Sequence, residues 1–340
     1  MKAIMVEEPF KVTVVDVEKP EIKADNEVLI KIKCVGICGS DIGIYKGTNS
    51  LATYPRIIGH EYGGQVVEVG SAVTNVKVGD YVSVDPVRSC GHCYACKINR
   101  HNVCTTLEVT GVHQDGGCRE YVVAPAADVY KIDVDKIDKD LICLVEPYSI
   151  GVQVNHRAGI HEGDKVLVMG SGPIGLTVMQ VAKSRGAQVM MTDLVDARLE
   201  RAKEMGADIV VNVSREDLKQ AVLDFTDGEG MPVVVDSVCS LTSVPEAMDL
   251  ACPAGRVVTL GLINKPSEIA QVDFTKKELT VVGSRLSNYR FPEVIEGFES
   301  GALTPQKIRT HSFPAEKAEE AMKLNMEHPD QVCKITLTFD

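Results

Sequence analysis

Four cysteines lie close together in the first third of the chain. Cys90, Cys93, Cys96 and Cys104 follow the spacing C-x2-C-x2-C-x7-C. Thiolates at this spacing can surround one tetrahedral Zn²⁺, and four protein ligands leave no position for a substrate. The spacing therefore predicts a structural zinc site, with an iron–sulfur cluster or a group of buried free thiols as the alternatives.

A second group of candidate metal ligands comes from distant parts of the chain. Cys38 follows one apolar run, the pair His60 and Glu61 follows a glycine, and Glu146 precedes a proline. One thiolate, one imidazole and a carboxylate would hold a zinc ion that keeps an open position for a substrate oxygen, as catalytic zinc sites do. Taken alone, each residue is better explained by a packing role, since cysteine is often a small buried residue and His60 can pair with Glu61.

A glycine-rich motif stands directly after an apolar run and directly before a helix-compatible stretch. It has the form G-x-G-x-x-G and consists of Gly170, Ser171, Gly172, Pro173, Ile174 and Gly175. In dinucleotide-binding folds the first glycine permits a tight turn, the second lets the pyrophosphate approach the backbone, and the third lets the helix pack on the strand. The motif in this context predicts a dinucleotide-binding loop, and a glycine-rich turn without a ligand is the alternative.

Asp193, at the end of the next apolar run, bears on which dinucleotide is bound. A carboxylate there accepts hydrogen bonds from the adenosine ribose hydroxyls and would repel a 2′-phosphate. Asp193 therefore favours NAD over NADP. Arg198 argues the other way, because a guanidinium can receive a phosphate.

These candidate residues require two different scaffolds. Residues 1–150 contain short stretches that are apolar at alternate positions and punctuated by glycines, which is typical of β-strands and turns. From about residue 164 apolar runs alternate with stretches of helical period, which predicts parallel strands joined by crossover helices. We therefore expect an α/β protein in which residues 1–150 and 287–340 form a β-rich catalytic, zinc-binding domain. Residues 151–286 would form a nucleotide-binding Rossmann domain with a doubly wound parallel sheet.

Composition argues against several other classes of protein. The net charge of −12 repels phosphate backbones and no basic stripe offsets it, so nucleic acid is not an expected partner. No segment approaches the apolar run of about 20 residues that crosses a bilayer, so no membrane role is expected. The start of the chain lacks the pattern of a secretory signal, and the eleven cysteines suit a reducing compartment. We expect a cytoplasmic protein.

Taken in order, the motifs resemble those of the zinc-containing medium-chain dehydrogenases across essentially the whole chain. The matching set comprises Cys38-Gly39-Ser40-Asp41, Gly59-His60-Glu61, the four cysteines, Glu146-Pro147 and the glycine loop. Residues 111–117 and 283–286 are most similar to sugar-acid members of the polyol and sugar-acid branch, which includes sorbitol, L-threonine, L-idonate and L-galactonate or L-gulonate 5-dehydrogenases. The resemblance implies a GroES-like first domain, two zinc ions per chain, NAD as cofactor and a homodimer or homotetramer.

The resemblance also implies roles for the second group of ligands. Cys38 and His60 would ligate the catalytic zinc together with one carboxylate, which is either Glu61 or Glu146. Asp41 would form a hydrogen bond to His60 and so fix the tautomer of its ring.

For proton transfer, the resemblance makes Ser40 the first acceptor. Many family members have a histidine two residues after the aspartate of the Cys-Gly-Ser-Asp motif, and this chain has Gly43 there. We therefore expect the proton to leave Ser40 through water or a cofactor ribose. The missing histidine also makes L-threonine a less suitable substrate, because that branch commonly keeps it.

Two further residues bear on the substrate, which we expect to be a small polyhydroxylated molecule. The resemblance places Arg285 near nicotinamide and substrate, where a guanidinium could grip a carboxylate in a bidentate pair, and His113 could donate a hydrogen bond. An aldonate such as L-gulonate or L-galactonate, oxidised at its 5-position, is the resulting hypothesis. A polyol or L-threonine is the alternative substrate, and a salt bridge for Arg285 and a loop-capping role for His113 are the structural alternatives. A structural zinc-binding module is the alternative to an enzyme.

Overall fold

The computed structural model describes residues 1–339, which divide into two compact units. One unit consists of Met1–Ser149 together with the chain from Ser287 onward, and the other is Ile150–Leu286. Each helix of the described chain is too short or too polar to span a lipid bilayer.

The amino-terminal part of the first unit is built mainly from strands. Alternating apolar side chains place one face of each strand in the core, as at Val28, Ile30 and Ile32, which are buried. In chain order the elements are β1 (Lys2–Glu8), β2 (Lys11–Asp16), β3 (Glu27–Ile37), α1 (Gly39–Tyr45), β4 (Arg56–Ile57), β5 (Glu61–Val69), β6 (Tyr81–Val84), β7 (Val87–Arg88), α2 (Tyr94–Lys97), β8 (Glu108–Val109), β9 (Tyr121–Pro125), β10 (Val129–Ile132) and α3 (Val145–Ala158), which carries the chain into the second unit.

The second unit alternates strands and helices. Its elements are β11 (Lys165–Met169), α4 (Pro173–Ser184), β12 (Gln188–Asp193), α5 (Asp196–Glu204), β13 (Ile209–Asn212), α6 (Leu218–Phe225), β14 (Met231–Asp236), α7 (Ser243–Leu250), β15 (Ala251–Thr259), α8 (Gln271–Thr275) and β16 (Thr280–Gly283). After β16 the chain returns to the first unit and adds α9 (Phe291–Glu299), β17 (Arg309–Pro314), α10 (Ala318–Glu327) and β18 (Lys334–Thr338).

The main sheet of the first unit is mixed, with the strand order β10-β6-β5-β3-β18-β17, and β9 also pairs with β3. At its centre, β3 is antiparallel to both β5 and β18. The register places Gly36 opposite Glu61 on one side and opposite Thr336 on the other. The last strand of the chain therefore lies next to the strand that precedes Cys38.

The sheet of the second unit is parallel, with the strand order β13-β12-β11-β14-β15-β16. Helices cover its strands, and Val166, Leu167 and Val168 in β11 are fully buried, which explains the uninterrupted apolar run in the sequence. The chain goes from β11 to one edge and then resumes on the other side at β14, so the order reverses beside β11. In sheets of this kind, ligands bind at the carboxyl ends of the strands at such a reversal.

Candidate active site and metal centres

The four cysteines of the predicted structural zinc site come together in residues 90–104, termed the cysteine lobe. Their sulfur atoms all lie within 4.8 Å of one another. The Sγ of Cys93 is 3.5 Å from that of Cys96 and 3.9 Å from that of Cys104. Sulfurs bound at about 2.3 Å to one tetrahedral ion would lie about 3.8 Å apart, so the lobe fits a zinc ion without rearrangement of its backbone.

Backbone N–H groups directed at these sulfurs favour the thiolate form. The N–H of Cys90 donates to Cys104 Sγ at 3.3 Å and lowers the pKa of that thiol to about 7. Hydrogen bonds from the backbone of Cys96 and Thr105 lower the pKa of Cys93 to about 5. Burial and the neighbouring cysteines raise the pKa of Cys96 to about 11. Since the thiolate is the form that binds a metal, Cys93 and Cys104 are the two thiols that the backbone prepares for a metal. Every cysteine lies in the described chain, and none is in a disulfide.

Cys38, His60 and Glu61 converge in the first unit, and one ligand atom of each lies within 4.8 Å of the others. Cys38 precedes α1, and His60 immediately precedes β5, which begins at Glu61. Gly59 permits this approach because its φ is +95° and a Cβ there would lie 2.7 Å from Cys118 Sγ. A tight glycine turn therefore brings the imidazole next to the thiol.

Asp41 organises the turn at Cys38 and forms no hydrogen bond with His60. Its two carboxylate oxygens accept the N–H of Cys38 at 2.8 Å and that of Gly59 at 3.2 Å. Its Oδ1 lies 3.8 Å from Nδ1 of His60, too far for a hydrogen bond. In the described chain Nδ1 of His60 is buried without a hydrogen-bond partner. The prediction that Asp41 forms a hydrogen bond to His60 is therefore wrong. Both carboxylate oxygens of Asp41 instead accept backbone N–H groups. Ser40 Oγ lies 3.5 Å from the other ring nitrogen, Nε2.

The carboxylate of Glu61 is paired with a buried lysine, Lys334. Lys334 Nζ donates to the two carboxylate oxygens at 2.6 and 2.9 Å and to the carbonyl of Ile37 at 3.3 Å. The side chains of Lys334 and Glu61 are 3% and 1% exposed. Opposite them, a Cβ on Gly36 would lie 2.0 Å from Glu61 Oε2, so the missing side chain makes the space that the carboxylate fills.

Glu146, in the first turn of α3, is also buried, and burial raises its pKa to about 8. Among the described residues it lies outside the group formed by Cys38, His60 and Glu61. Burial alone would lower the pKa of His60, but the negative charges of Asp41 and Cys38 raise it well above its ordinary value.

The charges and donors around this group fit a divalent cation. The thiol of Cys38 and the buried carboxyl groups of Glu61 and Glu146 lie around one lysine, Lys334. The imidazole of His60 presents a nitrogen, Nδ1, that has no hydrogen-bond partner in the described chain. A bound cation would supply the missing positive charge and favour the ionised carboxylates.

The glycine loop of the second unit has the geometry that its motif predicts. It connects β11 to α4, and Gly170 has a φ of +95°. A Cβ on Gly175 would lie 2.0 Å from the carbonyl oxygen of Gly170, so this glycine allows helix and strand to pack closely. A Cβ on Gly172 would meet no atom within 4 Å, which leaves the amino end of α4 open to a ligand. Pro173 and Ile174 form the first turn of that helix.

Asp193 ends β12 and is bonded to the glycine loop. Its carboxylate accepts the N–H groups of Ser171 at 3.0 Å, Leu194 at 2.8 Å and Val195 at 3.0 Å. Arg198 Nη1 lies 3.7 Å from Asp193 Oδ2. Asp193, Leu194 and Arg198 line a cavity of about 600 Å³ that also borders Gly170 and Gly172. Asp193 therefore has a structural role in the loop in addition to the predicted contact with a ribose.

The two predicted substrate residues have different surroundings. His113 is half-buried, and its Nδ1 accepts the N–H of Val109 at 3.0 Å, which is the loop-capping role. With Nδ1 an acceptor, the neutral ring carries its proton on Nε2, where it is available to donate. Arg285 is exposed in the segment after β16.

Sequence reasoning missed Lys334 and Gly36, both of which contact or accommodate Glu61. Lys334 could have been noticed because it is a charged residue in a buried strand near the end of the sequence, where a charge needs a partner. The partner lies 273 positions away, so nothing local identifies it. Gly36 stands within an apolar strand, and only the register with β5 reveals why a side chain is excluded.

Two parts of the chain match the models of a known family. The family model described as alcohol dehydrogenase GroES-like domain matches residues 24–134, and the one described as zinc-binding dehydrogenase matches residues 173–300. The chain belongs to the zinc-type alcohol dehydrogenase family. This confirms the predicted fold class and the resemblance seen in the motifs.

Individual relatives are similar over the full length. The starvation-sensing protein RspB of Escherichia coli K12 is 43% identical over 342 residues, covering 100% of this chain and 99% of RspB. L-galactonate-5-dehydrogenase of the same organism is 35% identical over 319 residues, covering 94% of this chain and 93% of the relative. A crystal structure of the short chain alcohol dehydrogenase rspB from E. coli CFT073, complexed with NADH, superimposes with a TM-score of 0.94 at 42% identity, covering 100% and 99% of the two chains.

The predicted class of enzyme is therefore confirmed: the chain is a zinc-binding dehydrogenase that acts on a small molecule. A purely structural zinc module is excluded because the second family match, described as zinc-binding dehydrogenase, covers residues 173–300 and so extends far beyond the cysteine lobe.

Proposed function

We propose that this chain oxidises a secondary hydroxyl of a sugar acid or polyol with NAD as the hydride acceptor. The preferred substrate is an aldonate of the L-gulonate or L-galactonate type, oxidised at its 5-position. The observation that carries the proposal is the convergence of Cys38, His60 and Glu61 within 4.8 Å. Similarity to L-galactonate-5-dehydrogenase supports a sugar-acid substrate. Sorbitol or L-iditol, and L-threonine at its 3-position, are the alternatives.

Two zinc ions per chain belong to this proposal. Cys90, Cys93, Cys96 and Cys104 hold the structural ion, and Cys38 and His60 hold the catalytic ion with one carboxylate. That carboxylate is either Glu61 or Glu146. Glu61 lies within 4.8 Å of both other ligands, and both of its oxygens accept hydrogen bonds from Lys334. Glu146 lies outside that group, and burial raises its pKa to about 8, so a nearby cation would favour its ionised form.

When bound, zinc supplies a Lewis acid for the substrate hydroxyl and NAD supplies the hydride acceptor. The chain itself handles the proton. Ser40 Oγ lies 3.5 Å from His60 Nε2, next to the proposed reaction centre, and takes the proton first. With glycine at position 43, the proton then passes to water or to a ribose hydroxyl of the cofactor. A Ser40→Ala enzyme with undiminished turnover would contradict this route.

NAD is supported by the dinucleotide loop and by Asp193. The aspartate carboxylate would repel a 2′-phosphate, and Arg198 pairs with that carboxylate at 3.7 Å and so has part of its charge neutralised. An NADH-bound relative of the same fold gives further support.

For the substrate, Arg285 would grip the carboxylate and His113 would donate from Nε2. A homodimer or homotetramer in the cytoplasm completes the proposal, supported by the resemblance and by the many free thiols. Light scattering after size exclusion tests the oligomeric state.

The experiment is a screen of NADH formation by the zinc-loaded protein with L-gulonate, L-galactonate, sorbitol and L-threonine, with metal content measured in parallel. We expect the highest kcat/KM with an aldonate, and an Arg285→Leu variant that raises KM for aldonates but leaves KM for sorbitol unchanged. Neutral polyols that turn over far faster than aldonates would refute the sugar-acid substrate but not the enzyme class. One zinc ion per chain, or none, would refute the proposed pair of metal sites.

A further inference from the structure

The cysteine lobe makes polar contacts outside its own four ligands, with the segment by which the chain re-enters the first unit. This return segment, residues 287–290, connects β16 to α9. Asn288 Nδ2 donates to the carbonyl of Asn99 at 2.9 Å, and the ring of Tyr289 stacks on His101 with a centroid separation of 4.0 Å. Asn99 and His101 both lie inside the lobe, between Cys96 and Cys104.

The hydrogen bonds define how the lobe and the return segment are joined. Because the amide nitrogen of Asn288 donates to Asn99, its oxygen Oδ1 must be the atom that accepts from His101 Nδ1, at 2.9 Å. His101 is only 6% exposed although the cysteine lobe is largely a surface feature, and the exposed Tyr289 covers it. One side chain of the return segment is thus held by both a backbone and a side-chain group of the lobe.

Backbone conformation shows that the return segment needs such support. Leu286 and Tyr289 have φ values of 48° and 59°, and Asn99 in the lobe has 56°. Residues with a Cβ rarely adopt this left-handed region, and a leucine or tyrosine stays in it only where its surroundings hold it there. Leu286 and Tyr289 are therefore strained, and the stacking of Tyr289 on His101 is a contact that can hold Tyr289 in this conformation.

We propose that His101 and Asn288 form a latch by which the metal-loaded cysteine lobe positions the return segment. In this proposal the lobe does more than stabilise its own loop. It also fixes the position of Asn288, three residues after Arg285. The inference rests on the proposed metal site in the lobe. The same contacts hold the lobe closed between Cys96 and Cys104, so the return segment should in turn slow the loss of metal from the lobe.

The first test measures order in the return segment directly. Trypsin cleaves after Arg285 and Arg290, which bracket it, so the cleavage rate at these bonds in zinc-loaded protein reports its opening. His101→Leu removes the hydrogen bond and the stacking and should speed cleavage about tenfold. His101→Asn keeps a donor at the position of Nδ1 and should restore most of the protection. His92→Leu is the matched control, because that histidine is exposed in the same lobe and bonds only to the Cys90 carbonyl there.

The second test measures metal release. In a His60→Ala background, which disables the other proposed zinc site, transfer of zinc to a chromophoric chelator reports the lobe alone. His101→Leu and Asn288→Ala should each release zinc several-fold faster, and His92→Leu should not. Should His101→Leu fail to fold, His101→Asn and Asn288→Ala provide the same comparison.

The proposal is overturned if His101→Leu and Asn288→Ala are both cleaved no faster than His92→Leu. It is also overturned if these variants are cleaved faster but release zinc at an unchanged rate. A lobe that binds no zinc in the unaltered protein refutes the proposed metal site instead, and metal analysis shows this before either test. Neither readout depends on the identity of the substrate.

Discussion

Replacing Lys334 with methionine should destabilise the first unit severely. The lysine and Glu61 are joined by two hydrogen bonds of 2.6 and 2.9 Å, and their side chains are 3% and 1% exposed. Methionine occupies a similar volume, so packing is retained while Glu61 loses its cation. Breaking a buried pair from one side costs about 3–5 kcal/mol, because the remaining charge is left in a medium of low dielectric constant.

Lys323→Met is the matched control. Lys323 Nζ lies 2.9 Å from Glu319 Oε1 on α10, but the two side chains are 51% and 44% exposed. Water screens such a pair, so its loss should cost at most about 1 kcal/mol. The same substitution at the same pair distance thus isolates the effect of burial.

The assay is urea unfolding of the zinc-loaded variants, followed by circular dichroism, with thermal melting as a second readout. We expect Tm to fall by roughly 10 °C for Lys334→Met and by no more than a few degrees for the control. The double variant Glu61→Gln/Lys334→Met should recover most of the loss, since no unpaired charge remains buried. Equal losses from the two lysine variants, or no recovery in the double variant, would refute the role assigned to the pair.

Three other perturbations follow from the same geometry. Gly36→Ala should cost about 1–3 kcal/mol and weaken metal binding, because the new methyl overlaps a carboxylate oxygen at 2.0 Å, whereas Gly283→Ala, with nothing within 4 Å, should be neutral in both measurements. Burial raises the pKa of Glu146 to about 8, so the metal-free folded protein binds this proton more tightly than the unfolded chain; stability should therefore fall as pH rises from about 5 to about 8, and Glu146→Gln should flatten that profile in urea titrations at several pH values. Gly175→Ala should lower Tm because its Cβ would lie 2.0 Å from a backbone oxygen, whereas Gly172→Ala should leave Tm unchanged and reduce NADH affinity in fluorescence titrations; an unaltered affinity in the Gly172 variant would show that the dinucleotide binds elsewhere.

Local patterns in the sequence were sufficient to predict much of the fold, the cysteine lobe and the glycine loop. The cysteine spacing from Cys90 to Cys104 and the glycine loop at residues 170–175 are short-range features whose chemistry depends on neighbours a few positions apart. The parallel sheet was equally readable, because strands buried on both faces are apolar throughout, as β11 is.

Long-range pairing was decided only by the tertiary structure. Lys334 and Glu61 meet because β18 and β5 both pair with β3. The periodicity of either strand does not predict a partner 273 residues away. The same holds for Asp41, whose carboxylate is taken by the backbone of a turn 18 positions along the chain and so cannot serve His60 as the motif implied. A sequence records which groups can bind, donate or carry charge, but which of several possible partners receives them depends on strand register and on the space left by residues such as Gly36, and those are properties of the folded chain.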